Sequence, residues 1–118
     1  MASAEKKTLN SPDEVRPFEK GKVEVVQIAG GTVGRATFEP GWKWSDHVKP
    51  IAKTELCEAA HFMYTISGRA RIRMGDGSEF DVGPGDVGVV PLGHDAWVLG
   101  DEPWVSIDWS GLGEYAKR

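Results

Sequence analysis

Between Gly21 and Trp109 the apolar positions recur in short runs with a period of two, broken at intervals of about ten residues by glycine and proline, and this pattern predicts strands. KVEVVQI is rich in β-branched residues and bounded by turn signals, and TVGRATF follows at hairpin distance. In TISGRARIRM, Ala70, Ile72 and Met74 alternate with Arg69, Arg71 and Arg73, which puts an apolar set on one face and three cations on the other. Gly75, Asp76, Gly77 and Ser78 supply a turn into EFDV, and GPGD turns the chain again ahead of VGVVP. WVSIDW ends the series with Val105, Ile107 and Trp109 on one side. Helical periodicity does not exceed a turn or two, the C-terminal GEYAKR being the one candidate.

Many short strands joined by Gly and Pro turns predict an all-β sandwich or barrel. Residues 1–20, rich in Lys, Glu, Ser and Pro without periodicity, form a loose arm or an edge strand. Residues 21–112 make up the barrel, and 113–118 are a C-terminal tail.

A chain of 118 residues, 40% hydrophobic, suits one domain with one core. Its 14 basic and 18 acidic residues leave a net charge of −4 with no long block of either sign, which argues against nucleic acid as a main partner. The single cysteine, Cys57, excludes an internal disulfide. The opening MASAEKKTLNSPDE lacks the apolar stretch of a secretory signal, and runs such as VGVVPL are too short to cross a bilayer, so a soluble cytoplasmic protein is expected.

All three histidines, His47, His61 and His94, fall in or beside two glycine-rich blocks. In HFMYTISG six residues separate His61 from Gly68, read as a hairpin glycine. In GDVGVVPLGHDAW, Gly85 is followed after five residues by Pro91, then Gly93 and His94. This spacing resembles the two signature blocks of the cupin family, and the resemblance covers roughly residues 34 to 109. It implies a single-domain double-stranded β-helix, the cupin jelly-roll barrel, whose mouth holds a metal or small ligand, and a homodimer.

Aligned on Gly68, the family's first block, His-x-His followed by a glutamate, falls on Glu55, Cys57 and His61. A second register, starting from Gly41, places His47 at the first histidine, with KPIAKTE as a longer connection. In the second block the usual histidine, five residues beyond the proline, is Ala96, and the available imidazole is His94. A thiolate with two imidazoles suits Zn²⁺ or another borderline metal. Cys57, His61 and His94 are therefore the expected ligands of a divalent transition metal (Zn, Ni, Fe or Mn), with His47 and Glu55 as alternates. Each residue also has a plainer reading: a small buried hydrophobe for Cys57, a core histidine for His61, and a structural turn at His94 whose Asp95 caps backbone N–H groups or orients an imidazole.

Five tryptophans are many for this length, and core bulk is their default role. Trp44 and Trp97 flank the candidate ligands and are expected to line a pocket for a small organic molecule. The three arginines of RARIRM are read as a solvated or subunit-facing surface. The resemblance leaves three functional readings: a metal-dependent enzyme acting on a small molecule (a dioxygenase, isomerase, decarboxylase or lyase), a non-catalytic ligand-binding or sensor module, and a storage or structural barrel.

Overall fold

The computed structural model of the protein describes residues 3–110, 112–113 and 115–117. Positions 1, 2, 114 and 118 of the expected arm and tail, and position 111 of the barrel, lie outside the described residues. The chain forms β1 (Glu14–Phe18), β2 (Gly21–Ile28), β3 (Gly31–Phe38), the one-turn helices α1 (Trp44–His47) and α2 (Lys49–Ala52), then β4 (His61–Ser67), β5 (Arg69–Met74), β6 (Glu79–Val82), β7 (Val87–Val90), β8 (His94–Leu99) and β9 (Trp104–Asp108). Among the described residues no helix is long and apolar enough to cross a membrane.

All pairings are antiparallel, in a six-stranded sheet of order β1-β2-β3-β9-β4-β7 and a three-stranded sheet of order β6-β5-β8. The predicted all-β barrel is thus built from two curved walls. β1 lies within the stretch expected to be an arm or edge strand, and it forms one edge of the larger sheet.

TISGRARIRM is not one continuous strand, and Gly68 is not a hairpin glycine. Gly68 adopts φ 76° at a corner, where the chain leaves the larger sheet as β4 and enters the smaller one as β5. A side chain there would collide with Pro103 O and the Trp104 Cα, so the close approach of the 103–104 backbone and the left-handed conformation both demand glycine. The alternation in β5 nonetheless reads as predicted: Ala70 and Ile72 are fully buried, while Arg71 pairs with Asp81 at 2.7 and 3.1 Å on the outer surface.

Between the walls, Phe38 stacks on Trp104 with centroids 4.9 Å apart and meets Trp42 at 4.1 Å, and Phe18 joins the same cluster. Trp104 Nε1 donates to Thr65 Oγ1 at 3.1 Å. Trp42 is as deeply buried, but its Nε1 has no partner, the one such side-chain N or O among the described residues. The chain end folds back over this core: the buried Arg16 guanidinium donates to the carbonyls of Leu112 (2.7 Å), Gly113 (2.9 Å) and Tyr115 (3.0 Å), and Glu14 pairs with its other edge.

Candidate metal centre

Three side chains from separate parts of the chain converge at one end of the barrel. His61 is the first residue of β4, paired with Val90 at the end of β7. His94 opens β8 just after the Pro91–Gly93 turn. Cys57 lies in the segment leading to β4 and is tied to that turn by backbone bonds, Cys57 N to His94 O at 2.8 Å and Gly93 N to Cys57 O at 2.7 Å. Backbone geometry therefore sets the thiol beside the imidazoles.

All three residues are buried, and their nearest donor atoms lie within 4.8 Å of one another. Cys57 Sγ is 3.9 Å from His61 Nε2, and the two imidazole centroids are 5.1 Å apart. Ligands of a tetrahedral zinc stand about 3.4–3.6 Å apart, from metal bonds of about 2.3 Å to sulfur and 2.0–2.1 Å to nitrogen. The donor triangle is wider than that by a small side-chain adjustment.

Both rings are anchored through Nδ1. His61 Nδ1 donates to Asp108 Oδ2 at 2.5 Å, and His94 Nδ1 donates to the Pro91 carbonyl at 2.9 Å. Each Nε2 is thereby the ring nitrogen that could meet a metal, as where an acceptor fixes the tautomer and orientation of a metal-binding histidine. Asp108 comes from the end of β9, and Ser110 N holds its other oxygen at 2.9 Å.

The electrostatics suit an anionic sulfur. Burial alone would raise the Cys57 thiol, but hydrogen bonds from His61 and His94 overcome it and bring the pKa down to about 6. Burial opposes charge on His61 as well, and Asp108 together with the Cys57 sulfur outweighs it, lifting that imidazole to about 9. Both shifts favour thiolate paired with imidazolium over neutral thiol and imidazole. Tyr115 packs edge-on against His61 at 5.8 Å; burial first, and then the Cys57 and Asp108 charges, hold its phenol well above the usual range.

The cluster lies in the partition between two spaces. His61, His94, Asp108 and Ala96 line an interior cavity of about 30 Å³, together with Trp42 and Trp104. Cys57 instead lines an open cleft of about 340 Å³, walled by Val48, Ile51 and Ala52 of the helical turns and by Ala59 and Ala116. Trp44 and Tyr115 border both. Ala96, two residues after His94 on the same face of β8, places a methyl group where the family resemblance would put an imidazole.

The remaining candidates lie elsewhere. His47 Nδ1 accepts the Lys43 N–H at 3.0 Å, closing the α1 turn. Glu55 points into solvent, with its carboxylate 3.1 Å from Lys49 Nζ. Trp97 lines neither cavity, because the period of two in β8 turns His94, Ala96 and Val98 inward and Trp97 outward, where its ring lies under Lys43 Nζ. Asp108 and Tyr115 were missed. A signal for Asp108 existed, in that Trp104, Ser106 and Asp108 share one face of β9; Tyr115 sits in an aperiodic segment and carried none.

No protein-family model matches the sequence, and no curated protein matches it. Solved structures do match. Oxalate decarboxylase from Bacillus subtilis at pH 4.6 superposes with a TM-score of 0.60 at 30% identity over 84% of this chain and 27% of the other. The formate complex of the Lactobacillus farciminis oxalate decarboxylase gives 0.61 at 22% identity over 86% and 32%. A DUF1255 protein of unknown function from Acidithiobacillus ferrooxidans gives 0.61 at 20% identity over 84% and 88%. The chain thus spans about 30% of the length of the oxalate decarboxylases but nearly all of the third protein. Another B. subtilis oxalate decarboxylase structure, 30% identical with a TM-score of 0.57 over 85% of this chain and 27% of that one, concerns its Mn(II) centres.

Proposed function

The chain belongs to the cupin superfamily, and we propose that it binds a divalent transition metal through Cys57, His61 and His94 and acts there on a small organic molecule. The observation that carries this reading is the pair of imidazoles, each anchored at Nδ1, that aim Nε2 beside a low-pKa thiol. The donor set fits such a metal. Thiolate sulfur favours zinc, iron or nickel over the manganese of the oxalate decarboxylase relative, whose preference is for oxygen-rich sites.

Three protein ligands, with alanine at position 96, leave coordination positions open, as catalytic sites do and closed structural sites do not. A bound metal would supply Lewis acidity toward a carbonyl or carboxylate, or toward water. The rest of the site falls to the chain itself. Asp108 orients His61 and takes up its Nδ1 proton's charge, Trp44 and Tyr115 exclude water from the partition, and the unpartnered Trp42 N–H is a donor for an acceptor atom entering the interior cavity. At about 30 Å³ that cavity admits only a few atoms, so the bulk of a ligand belongs in the cleft on the Cys57 side. The same small interior favours, as a second reading, a module that binds its ligand without turnover. A free thiol at the site suits a reducing compartment, and a cytoplasmic location is part of the proposal.

The test is metal analysis of protein purified without chelator, followed by small carboxylic and carbonyl compounds offered to the metal-loaded form. About one metal per chain and a higher melting temperature on metal addition are expected, because a ligand of the native state stabilises by mass action; less than about a tenth of an equivalent with no shift overturns the reading. Binding with product formation identifies an enzyme, and binding with none identifies the sensor module.

A further inference from the structure

The three donors of the candidate metal centre do not face one space. His61 and His94 line the interior cavity of about 30 Å³, and Cys57 lines the open cleft of about 340 Å³ on the other side of the partition. A metal held by all three borders both spaces, so one ligand can reach it and occupy both. The interior offers a specific demand. Trp42, which lines it, is 2% exposed and its Nε1 has no hydrogen-bond partner. An indole N–H donates and never accepts, so what is missing there is an acceptor atom. A buried donor left unmade carries the full cost of its desolvation, which an acceptor entering the cavity would remove.

The cleft makes a different demand. Val48, Ile51, Ala52, Ala59 and Ala116 form its walls, and the Thr54 hydroxyl is turned back to its own chain, donating to the Leu56 carbonyl at 2.7 Å. The charged side chains on its lining, Glu58 and Lys117, are opposite in sign and exposed. Such a space suits an apolar chain. Charge limits the head of the ligand as well. The protein sets two negative charges at the metal, the Cys57 thiolate as a ligand and Asp108 behind His61, and together they match the charge of a divalent ion. A monoanionic head adds one negative charge to this buried place, whereas a dianion adds two with no cation to meet them.

We propose that the site selects aliphatic monocarboxylic acids over dicarboxylic acids, with the carboxylate between the metal and the Trp42 N–H and the tail along Val48, Ile51 and Ala52 of the cleft. The proposal rests on the metal reading, and Trp42 is its specificity-determining residue. A carboxylate fits because one group of three heavy atoms carries two acceptors, one for an open coordination position and one for the indole, within a cavity that holds only a few atoms.

The test is calorimetric titration of the full chain, loaded with Zn²⁺ and assayed for metal content, with acetate, butyrate, hexanoate and adipate, the last having the length of hexanoate and a second carboxylate. Affinity should rise about two- to fourfold per methylene from acetate to hexanoate, as apolar surface is buried in the cleft. Adipate should bind at least roughly 10-fold more weakly than hexanoate, because its second charge falls among apolar walls. Trp42→Phe should weaken hexanoate roughly 10-fold or more at unchanged zinc content, the loss of one N–H to a charged acceptor. Ala52→Trp, at an exposed position that leaves the barrel intact, should abolish the gain with chain length. Adipate as tight as hexanoate, or acetate as tight as hexanoate, overturns the proposal, and these wild-type rankings stand whether or not Trp42→Phe folds. Wild-type hexanoate affinity in Trp42→Phe also overturns it and assigns the indole N–H to a buried water. A chain that takes up no zinc overturns the metal reading and this proposal together, whereas a full equivalent of zinc with the wrong ranking of acids overturns this proposal alone.

Discussion

His61 Nδ1 lies 2.5 Å from Asp108 Oδ2, so the first residue of β4 and the last residue of β9 are joined inside the barrel by a charge-assisted hydrogen bond. The contact makes Asp108 the residue through which His61 is held toward Cys57. Asp108→Asn should lower metal affinity roughly 10- to 100-fold, the usual cost of losing a carboxylate behind a ligating histidine. The pKa of His61, about 9 in the intact pair, should fall in the same variant, because Asp108 is the first of the influences that raise it. Competition against a chromophoric chelator and imidazole NMR titration measure the two effects. Unchanged affinity together with a lowered His61 pKa would mean that His61 is not a ligand.

Removing the ligands should act more strongly than removing their support. His61→Ala and Cys57→Ser should each weaken metal binding by more than the roughly 100-fold upper end expected for Asp108→Asn. His47→Ala should leave metal binding unchanged, since its Nδ1 is taken up by the Lys43 N–H. Isothermal titration with Zn²⁺ on the three variants checks this, and wild-type affinity in His61→Ala would return that histidine to a structural role.

The pH behaviour follows from two opposed shifts. The Cys57 pKa falls from 9.0 to about 6, so its contribution to stability grows as pH rises from about 6 to 9 and is lost as pH falls through about 6. His61 rises from 6.5 to about 9, so its contribution is full below 6.5 and is lost as pH rises toward about 9. Across that window the two nearly cancel, and metal-free wild-type stability should be almost flat. Cys57→Ser removes the rising member and should make stability fall with pH above about 6.5. Urea denaturation at intervals across the window measures this, and thiolate absorbance near 240 nm in the wild type should titrate near pH 6. A flat Cys57→Ser profile, or a thiol titrating near 9, would refute the assignment.

Metal binding should strengthen with pH over the same range. The His61 Nε2 proton must leave before the nitrogen can ligate, so each metal bound below pH 9 releases about one proton from this ring. Calorimetry in buffers of different ionisation enthalpy counts that proton, and a release of zero at pH 7 would exclude His61 from the ligand set.

Arg16 holds the C-terminal turn, and through it Tyr115 against His61. Arg16→Met keeps the aliphatic bulk but abandons the Leu112, Gly113 and Tyr115 carbonyls. It should cost about 2–4 kcal/mol, as buried carbonyls lose a charged donor. Hydrogen exchange of residues 112–117 should accelerate at the same time. A variant as stable and as protected as the wild type would show that apolar packing of Leu112 suffices.

Local pattern was enough to mark the strands. Alternation in Arg69–Met74, β-branched runs in β2 and glycine at the turns are properties of short segments, and they hold wherever the sheet is placed. The two blocks around His61 and His94 were likewise legible, because turn glycines and prolines at fixed spacing are covalent facts of the sequence. They were enough to single out the cysteine and two histidines that the fold brings together.

Tertiary structure decided which side of each strand is inside. A period of two defines two faces without saying which is covered, and in β9 the apolar set of Val105, Ile107 and Trp109 faces outward while Trp104, Ser106 and Asp108 face the interior. The interior tolerates Asp108 because His61 neutralises it across the barrel, a partner 47 residues away that no local window contains. The same choice of face turns Trp97 away from the site and leaves Phe62 and Tyr64 on the surface. It also falls to the fold to break TISGRARIRM at Gly68, since only the approach of the 103–104 backbone makes that glycine a corner between sheets. The sequence alone determines strands, turns and the donors available. The packing of one sheet against the other, which fixes burial and so the cost of every charge, determines which of those donors can form a site.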